Sequence, residues 1–192
     1  MKNQFVLNCL TFTGLLLLFS CNNDNKLDKK KVKIITPSSI KTDIKSTDDT
    51  LQHYYKLLME NKIEQIHPNH FINATQNYLL FYRKYPNDSF APVCLDKAQQ
   101  LYTQQKKYAL ALKYTDTLLK HYPNYKDNPT LLVNAGSICD AILNDRKKTQ
   151  YYYQKLITQY PSIDKETKEM VEFRLKHIDL SFDEMIKLQS KK

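Results

Sequence analysis

The chain has 192 residues, which is room for one domain with a real core. Its formal net charge is +9, and basic and acidic residues are interspersed along most of it, a pattern typical of solvated helix faces that argues against nucleic-acid binding. Glycine occurs only twice, which excludes glycine-rich phosphate-binding loops and disfavours tight hairpins. Because Leu, Lys, Gln and Ala fill long stretches, the sequence predicts an all-α fold.

The first 20 residues have the pattern of an export signal. Lys2 lies in a short polar start, an apolar run follows from Leu15 to Phe19, and Ser20 and Cys21 end it. The apolar run is too short to span a bilayer, and no basic stop-transfer segment follows it directly. We expect this segment to be removed on export.

The residues Leu18-Phe19-Ser20-Cys21 resemble the lipobox of bacterial lipoproteins, with Phe19 bulkier than usual. The resemblance implies that the thiol of Cys21 is acylated, palmitate being among the expected chains, and that Cys21 becomes the first mature residue. Asn22 follows where an Asp would mark inner-membrane retention in enteric lipoproteins, which implies the outer membrane and a periplasm-facing domain. The alternatives are an ordinary signal with a chance cysteine, or an uncleaved anchor.

Residues 21–49 are rich in Asn, Asp, Lys, Ser and Thr and contain few large apolar side chains. Such a segment buries too little surface to offset the entropy of ordering. We therefore expect a flexible tether over 21–49, followed by a helical domain over 50–192.

Within that domain, three segments end in Tyr-Pro, at Pro86, Pro123 and Pro161, with spacings of 37 and 38 residues. A small residue stands twelve positions before each proline, and larger residues follow it at +4, +7 and +11, so that all four lie on one helix face. The three sets are Ala74, Tyr78, Phe81, Tyr85; Ala111, Thr115, Leu118, Tyr122; and Thr149, Tyr153, Leu156, Tyr160. This periodicity is typical of stacked helical pairs.

The pattern resembles the tetratricopeptide repeat (TPR) over about residues 66 to 161. The middle unit matches best, with Tyr102, Tyr108, Ala111 and Pro123 at family positions. Repeats closing in Tyr-Pro look like those of the outer-membrane β-barrel assembly lipoprotein and of the Tol-Pal coordinator's C-terminal domain. The resemblance implies a right-handed stack of about three helix pairs, the first of which would begin with a helix over Thr50 to Gln65.

Capping helices are expected after the third unit. Residues Lys165 to Ile178 form an amphipathic pattern, and Ser181 with Glu184 has the spacing of a capping box that starts a last short helix. Terminal helices with a polar side keep a repeat stack soluble.

Candidate chemistry is sparse. His67 and His70 flank Pro68-Asn69 and are interpreted as loop histidines rather than metal ligands. Cys94 and Cys139 fall at different repeat positions, which favours buried free thiols over a disulfide. Hydrolase and zinc-protease motifs do not occur in the sequence, so we expect no enzyme and no cofactor.

The predicted function is a non-catalytic interaction scaffold of the cell envelope, held at the membrane by its lipid and binding an envelope protein or peptide segment. In the family, the first helix of each pair lines the concave face, which implies a partner-binding groove here. Its residues would be Val93, Asp96, Gln100, Thr103, Gln104, Leu131, Asn134 and Ile138, followed by Ala141 and Ile142. The alternative is a lipoprotein that captures sugars or other nutrients on a helical-repeat surface.

Overall fold

The computed structural model describes residues 35–190. The predicted signal, the acylation site Cys21 and the first part of the tether lie outside these residues. The described part contains eight α-helices and one π-helical segment, which confirms the all-α fold there. The elements are α1 (Pro37–Met59), α2 (Pro68–Lys84), α3 (Ala91–Gln104), α4 (Tyr108–His121), α5 (Asn128–Ser137), the π-helical segment (Ile138–Ile142), α6 (Arg146–Gln159), α7 (Lys165–Lys176) and α8 (Phe182–Gln189).

Helix α1 overturns the predicted boundary between tether and domain. The flexible tether expected over 21–49 is wrong for 37–49, which is helical, and α1 replaces the shorter first helix expected from Thr50. The reason is a narrow apolar stripe: Ile40, Ile44 and Leu51 are buried at helical spacing, while the polar residues between them face solvent. A mostly polar composition therefore concealed a helix that packs on one side.

The start of α1 is fixed by a local cap. The side chain of Thr36 accepts a hydrogen bond from the backbone N–H of Ser39 at 3.1 Å, and the Ser39 hydroxyl accepts one from the Thr36 N–H at 3.0 Å. Pro37 occupies the first helical turn, where its missing N–H costs nothing. This is a capping box that uses Ser where Glu or Gln is usual.

Each helix packs against its neighbours in sequence, from α1 against α2 through to α6 against α7. Connections between them are short turns of a few residues, which is why consecutive helices meet. Within residues 35–190, two apolar clusters fill the interior, one running from α1 to α5 and one from α4 to α7.

Burial confirms the helix faces predicted from the repeat. The small residues Ala74, Ala111 and Thr149 are 0%, 1% and 0% exposed. The residues seven positions later, Phe81, Leu118 and Leu156, are all 0% exposed, and those four positions later are buried as well. The small side chain therefore lies against a neighbouring helix, and the larger ones fill the core beside it.

The tyrosine before each proline has the same place in all three units. Tyr85, Tyr122 and Tyr160 follow the last residue of α2, α4 and α6, and all three have φ near −130°, which ends the α-helix. Each hydroxyl donates to a backbone carbonyl further back in the chain: that of Ile35 at 3.0 Å, of Pro86 at 2.5 Å and of Pro123 at 3.4 Å. The tyrosine thus both ends the second helix of its pair and ties it to the segment that precedes the first helix of that pair.

The C-terminal helices follow the sequence prediction. Helix α7 spans Lys165–Lys176, and α8 begins at the predicted capping box, in which Ser181 and Glu184 bond reciprocally. Helix α7 is joined to the π-helical segment by a buried ion pair between Arg174 and Asp140, whose side chains are only 3% and 5% exposed. The Arg174 guanidinium donates a hydrogen bond to each carboxylate oxygen of Asp140, at 2.6 and 2.7 Å. The sequence alone does not reveal this role of Asp140.

Candidate functional site

Five of the ten predicted groove residues line one pocket between α3 and α5. Val93, Asp96 and Gln100 come from α3, and Leu131 and Asn134 come from α5. The pocket has a volume of about 380 Å³. The structure thus brings together residues that the sequence places more than 30 positions apart.

A second pocket, of about 330 Å³, adjoins the first between α1 and α3. It contains the predicted groove residue Gln104, whose side-chain oxygen accepts a hydrogen bond from the Tyr55 hydroxyl of α1. Lys97 and Gln100 line both pockets, so the two are continuous along α3. The contribution of α1, through Gln52 and Tyr55, was missed because the groove was assigned from the middle and third units alone, although both residues lie in the helix expected from Thr50.

A third pocket, of about 350 Å³, lies between α5 and the α6–α7 turn, with Pro129 and Val133 on one side and Ile163 and Thr167 on the other. The three pockets together follow helices α1, α3, α5 and α7, with Thr130 shared between the first and third. We call this surface the odd-helix face.

Four predicted groove residues line none of the three pockets. Thr103 is half-buried and its hydroxyl donates to the Gln99 carbonyl at 3.0 Å. Ile138 is buried in the second apolar cluster rather than facing a pocket, while Ala141 and Ile142 are exposed beyond it. For the residues that follow α5, the cause is the π-helical segment: its wider turn inserts one extra residue, so positions after Ser137 leave the face that an α-helical period predicts.

Asp96 is not the exposed groove acid that the repeat register suggested. It is 8% exposed and accepts hydrogen bonds from the Gln99 and Gln100 amides at 3.0 and 2.9 Å and from the Tyr125 hydroxyl at 3.0 Å. Burial, and then the negative charge of Asp96, raise the pKa of Tyr125 well above its ordinary value, so its hydroxyl stays a donor. Tyr125 covers Asp96 from the turn before α5, a contact the sequence does not reveal.

The two candidate metal-binding histidines have structural roles. His67 caps α2, its Nδ1 accepting from the Asn69 N–H at 3.2 Å. His70 lies within α2, not in a loop, and its ring packs at 4.2 Å from that of Tyr54. Over residues 35–190, no group of three or more His, Cys, Asp or Glu side chains is placed to hold a metal ion.

The two cysteines of the domain are buried free thiols, as predicted. Burial raises the pKa of Cys94 to about 12 and that of Cys139 to about 11, which keeps both protonated and unreactive near neutral pH. They belong to the core and not to a site.

Comparison with known proteins adds no assignment. No protein-family model matches the chain, and no curated protein matches it. In the part of the chain that the structure describes, no helix is both long and apolar enough to cross a bilayer.

Proposed function

We propose that the chain is a non-catalytic lipoprotein of the cell envelope, whose TPR-like domain uses the odd-helix face to bind a peptide or helix of another envelope protein. The observation that carries this proposal is the row of three adjoining pockets along α1, α3, α5 and α7. Such a row suits an extended or helical segment that places successive side chains in successive pockets.

The TPR-like assignment rests on repetition at several levels. The Tyr-Pro spacing, the buried small residue in each even helix and the tyrosine hydroxyl bonds recur from unit to unit. One helix of each pair contributes to the odd-helix face, as the first helix does in the family. Because fold does not fix function, the choice of a protein partner rests on the pockets and not on the resemblance.

Short connections favour a scaffold over nutrient capture. The turns between α2 and α7 that border the pockets are brief, and the pockets are open and border one another. A capture lipoprotein would build a deep site from long inserted loops, whereas here the helices themselves supply the lining. We therefore retain nutrient capture as the second candidate only.

The membrane anchor is proposed from the lipobox-like residues that end at Cys21, with the outer membrane as its site and the domain facing the periplasm. Wild-type protein should incorporate labelled palmitate in cells, and Cys21→Ser should abolish the labelling and leave unprocessed precursor. Labelling that survives this substitution would end the lipoprotein assignment.

The binding face is tested with Gln100→Arg and Asn134→Arg together. Both side chains are exposed, and an arginine at position 100 keeps N–H donors for Asp96, so helicity and thermal midpoint should change little, since exposed substitutions usually cost about 0.5 kcal/mol or less each. Asp96 is left intact because it is buried. Capture of the stoichiometric envelope partner should weaken about tenfold, through bulk and lost hydrogen bonds worth roughly 1–2 kcal/mol.

The matched control places the same two charges on an even helix. Gln150→Arg and Gln154→Arg lie at exposed positions of α6, away from the three pockets. This variant should recover the partner in normal yield. Equal yields from both double variants would show that the odd-helix face is not the interface.

A further inference from the structure

The pocket between α3 and α5 has a buried carboxylate in its lining without a cation bonded to it. Asp96 is only 8% exposed. The three groups that donate hydrogen bonds to it, from Gln99, Gln100 and Tyr125, are all neutral. A buried carboxylate is normally stabilised by a positive charge as well as by hydrogen bonds. Elsewhere in the described chain the buried acid Asp140 follows that rule, with Arg174 as its partner.

The remaining lining of this pocket fits an alkyl stem that carries a planar, positively charged end. Val93 and Leu131 give it apolar sides. Gln100 uses its amide nitrogen on Asp96, which leaves its amide oxygen to accept, and the exposed amide of Asn134 stands opposite on α5. A carboxylate can accept about four hydrogen bonds, and Asp96 accepts three, so one lone-pair direction is left for an incoming donor.

Besides Asp96, the pocket lining carries two lysines and one further acid. Lys97 and Lys126 are exposed members of the lining, and Asp127 is a half-buried one that lies beside Tyr125. Exposed lysines are screened by water and can turn outward, whereas Asp96 is fixed by its hydrogen bonds. The fixed charge that an incoming group meets is therefore negative.

We propose that this pocket binds an arginine side chain of the partner segment, with the guanidinium on Asp96 and the stem between Val93 and Leu131. The proposal deepens the proposed function, on which it rests, by naming one side chain that the partner must carry. Arginine fits better than lysine because its planar donors can serve Asp96 and the two amide oxygens at once, and because a guanidinium loses less hydration on burial than an ammonium.

The test uses three small probes with the full chain, purified in detergent, and ligand-observed saturation-transfer NMR. n-Propylguanidinium copies the arginine side chain, n-propylurea is its neutral analogue, and n-butylammonium copies lysine. We expect n-propylguanidinium to bind with a Kd on the order of 1 mM. The urea should bind at least tenfold more weakly, and the ammonium severalfold more weakly. A urea that binds equally well overturns the proposal, and an ammonium that binds as tightly overturns the choice of arginine.

Two variants locate the binding. Asp96→Asn keeps the shape of the side chain, and the neighbouring Gln amides can rotate to match it, so the fold should survive while guanidinium binding falls at least tenfold. Asn134→Lys leaves Asp96 untouched and places a tethered cation at an exposed position of the lining; it should also lower binding at least tenfold. Unchanged binding in Asn134→Lys overturns the location.

Matched controls alter charge by the same amount. Asp127→Asn removes a carboxylate from the same lining and should change guanidinium binding less than threefold, whereas Gln150→Lys adds a lysine on α6 and should change nothing. A tenfold loss in either control would show that bulk charge, and not Asp96, attracts the probe. If the guanidinium probe does not bind while the variant with Gln100→Arg and Asn134→Arg still loses its partner, the arginine pocket alone is refuted. Probe binding without that loss would refute the proposed function alone.

Discussion

At the scale of single residues, the distance between neighbouring helices is set by side chains that are absent or small. Gly136 in α5 lies directly under the ring of Tyr153 in α6, and the Tyr153 hydroxyl is 3.1 Å from the Ser137 hydroxyl. Ala111 plays the corresponding part in α4, where it is 1% exposed. At both positions, close packing decides whether a larger side chain stabilises or destabilises the domain.

Gly136→Ala should destabilise the domain although alanine is the better helix former. A Cβ at this position would lie 2.6 Å from Cδ1 and 2.9 Å from Cζ of Tyr153, closer than carbon atoms can approach, and the ring is buried and hydrogen-bonded. Overpacking costs about 1–3 kcal/mol, against roughly 1 kcal/mol gained from helix propensity. Urea unfolding followed by circular dichroism should show a lower midpoint. A higher midpoint would mean that the ring moves aside freely.

Ala111→Leu should cost about 1–3 kcal/mol by the same mechanism, because the methyl group is buried against the adjoining helices. Ala109→Leu is the matched control, since Ala109 is exposed two positions earlier in α4. Differential scanning calorimetry should show a lower Tm for Ala111→Leu and an almost unchanged one for Ala109→Leu. If both variants melt like wild type, Ala111 does not hold a tight helix contact.

At the scale of elements, the π-helical segment and α7 depend on each other. Arg174 neutralises Asp140 and also donates to the backbone carbonyls of His177 and Leu180, so one side chain anchors the end of α7 and the turn that leads to α8. Because the guanidinium satisfies several buried acceptors at once, its removal affects a whole element.

Arg174→Met should lower the free energy of unfolding by about 3–5 kcal/mol, because it leaves the Asp140 carboxylate buried without its partner. Hydrogen exchange should show lost protection first in α7 and in the π-helical segment, with the α2–α3 region less affected. Arg146→Met, at an exposed position at the start of α6, is the control and should change little. Uniform loss of protection along the chain would contradict this local role.

The sequence predicted those elements whose signals are local. Tyr-Pro endings, the buried small residues and the Ser181 box each depend on residues within one helix, and the structure confirms them. The start of α1 was missed because its cap uses Ser39 where Glu is the usual signal. The Arg174–Asp140 pair joins residues 34 positions apart, so it could not be predicted from local sequence signals. The burial of Asp96 by Tyr125 has the same origin.

At the scale of the whole molecule, the corrected boundary decides which piece of the chain folds. A piece that begins at residue 35 retains the cap of α1 and its buried Ile40 and Ile44, whereas one that begins at residue 50 loses both isoleucines. Burial of each such side chain contributes roughly 1.5–3 kcal/mol. The domain boundary predicted at residue 50 therefore cuts through the core.

Residues 35–192 should be monomeric and strongly helical, with a sharp thermal transition. Residues 50–192 should melt at clearly lower temperature and aggregate, because α2 loses the apolar surface of α1 that covers it. Circular dichroism together with size-exclusion chromatography compares the two pieces directly. Equal midpoints would show that the first half of α1 adds nothing to the core.

The tyrosine hydroxyl bonds also bear on how such a chain grows in evolution. Tyr122 donates to the carbonyl of Pro86 and Tyr160 to that of Pro123, and a backbone carbonyl is present whatever side chain stands there. Duplication of the 37 residues from one proline to the next would therefore carry with it the hydrogen bond that joins neighbouring units, since the copied tyrosine would meet an identical acceptor. One such genetic event would lengthen the odd-helix face by a further pocket, with no new contact to be invented.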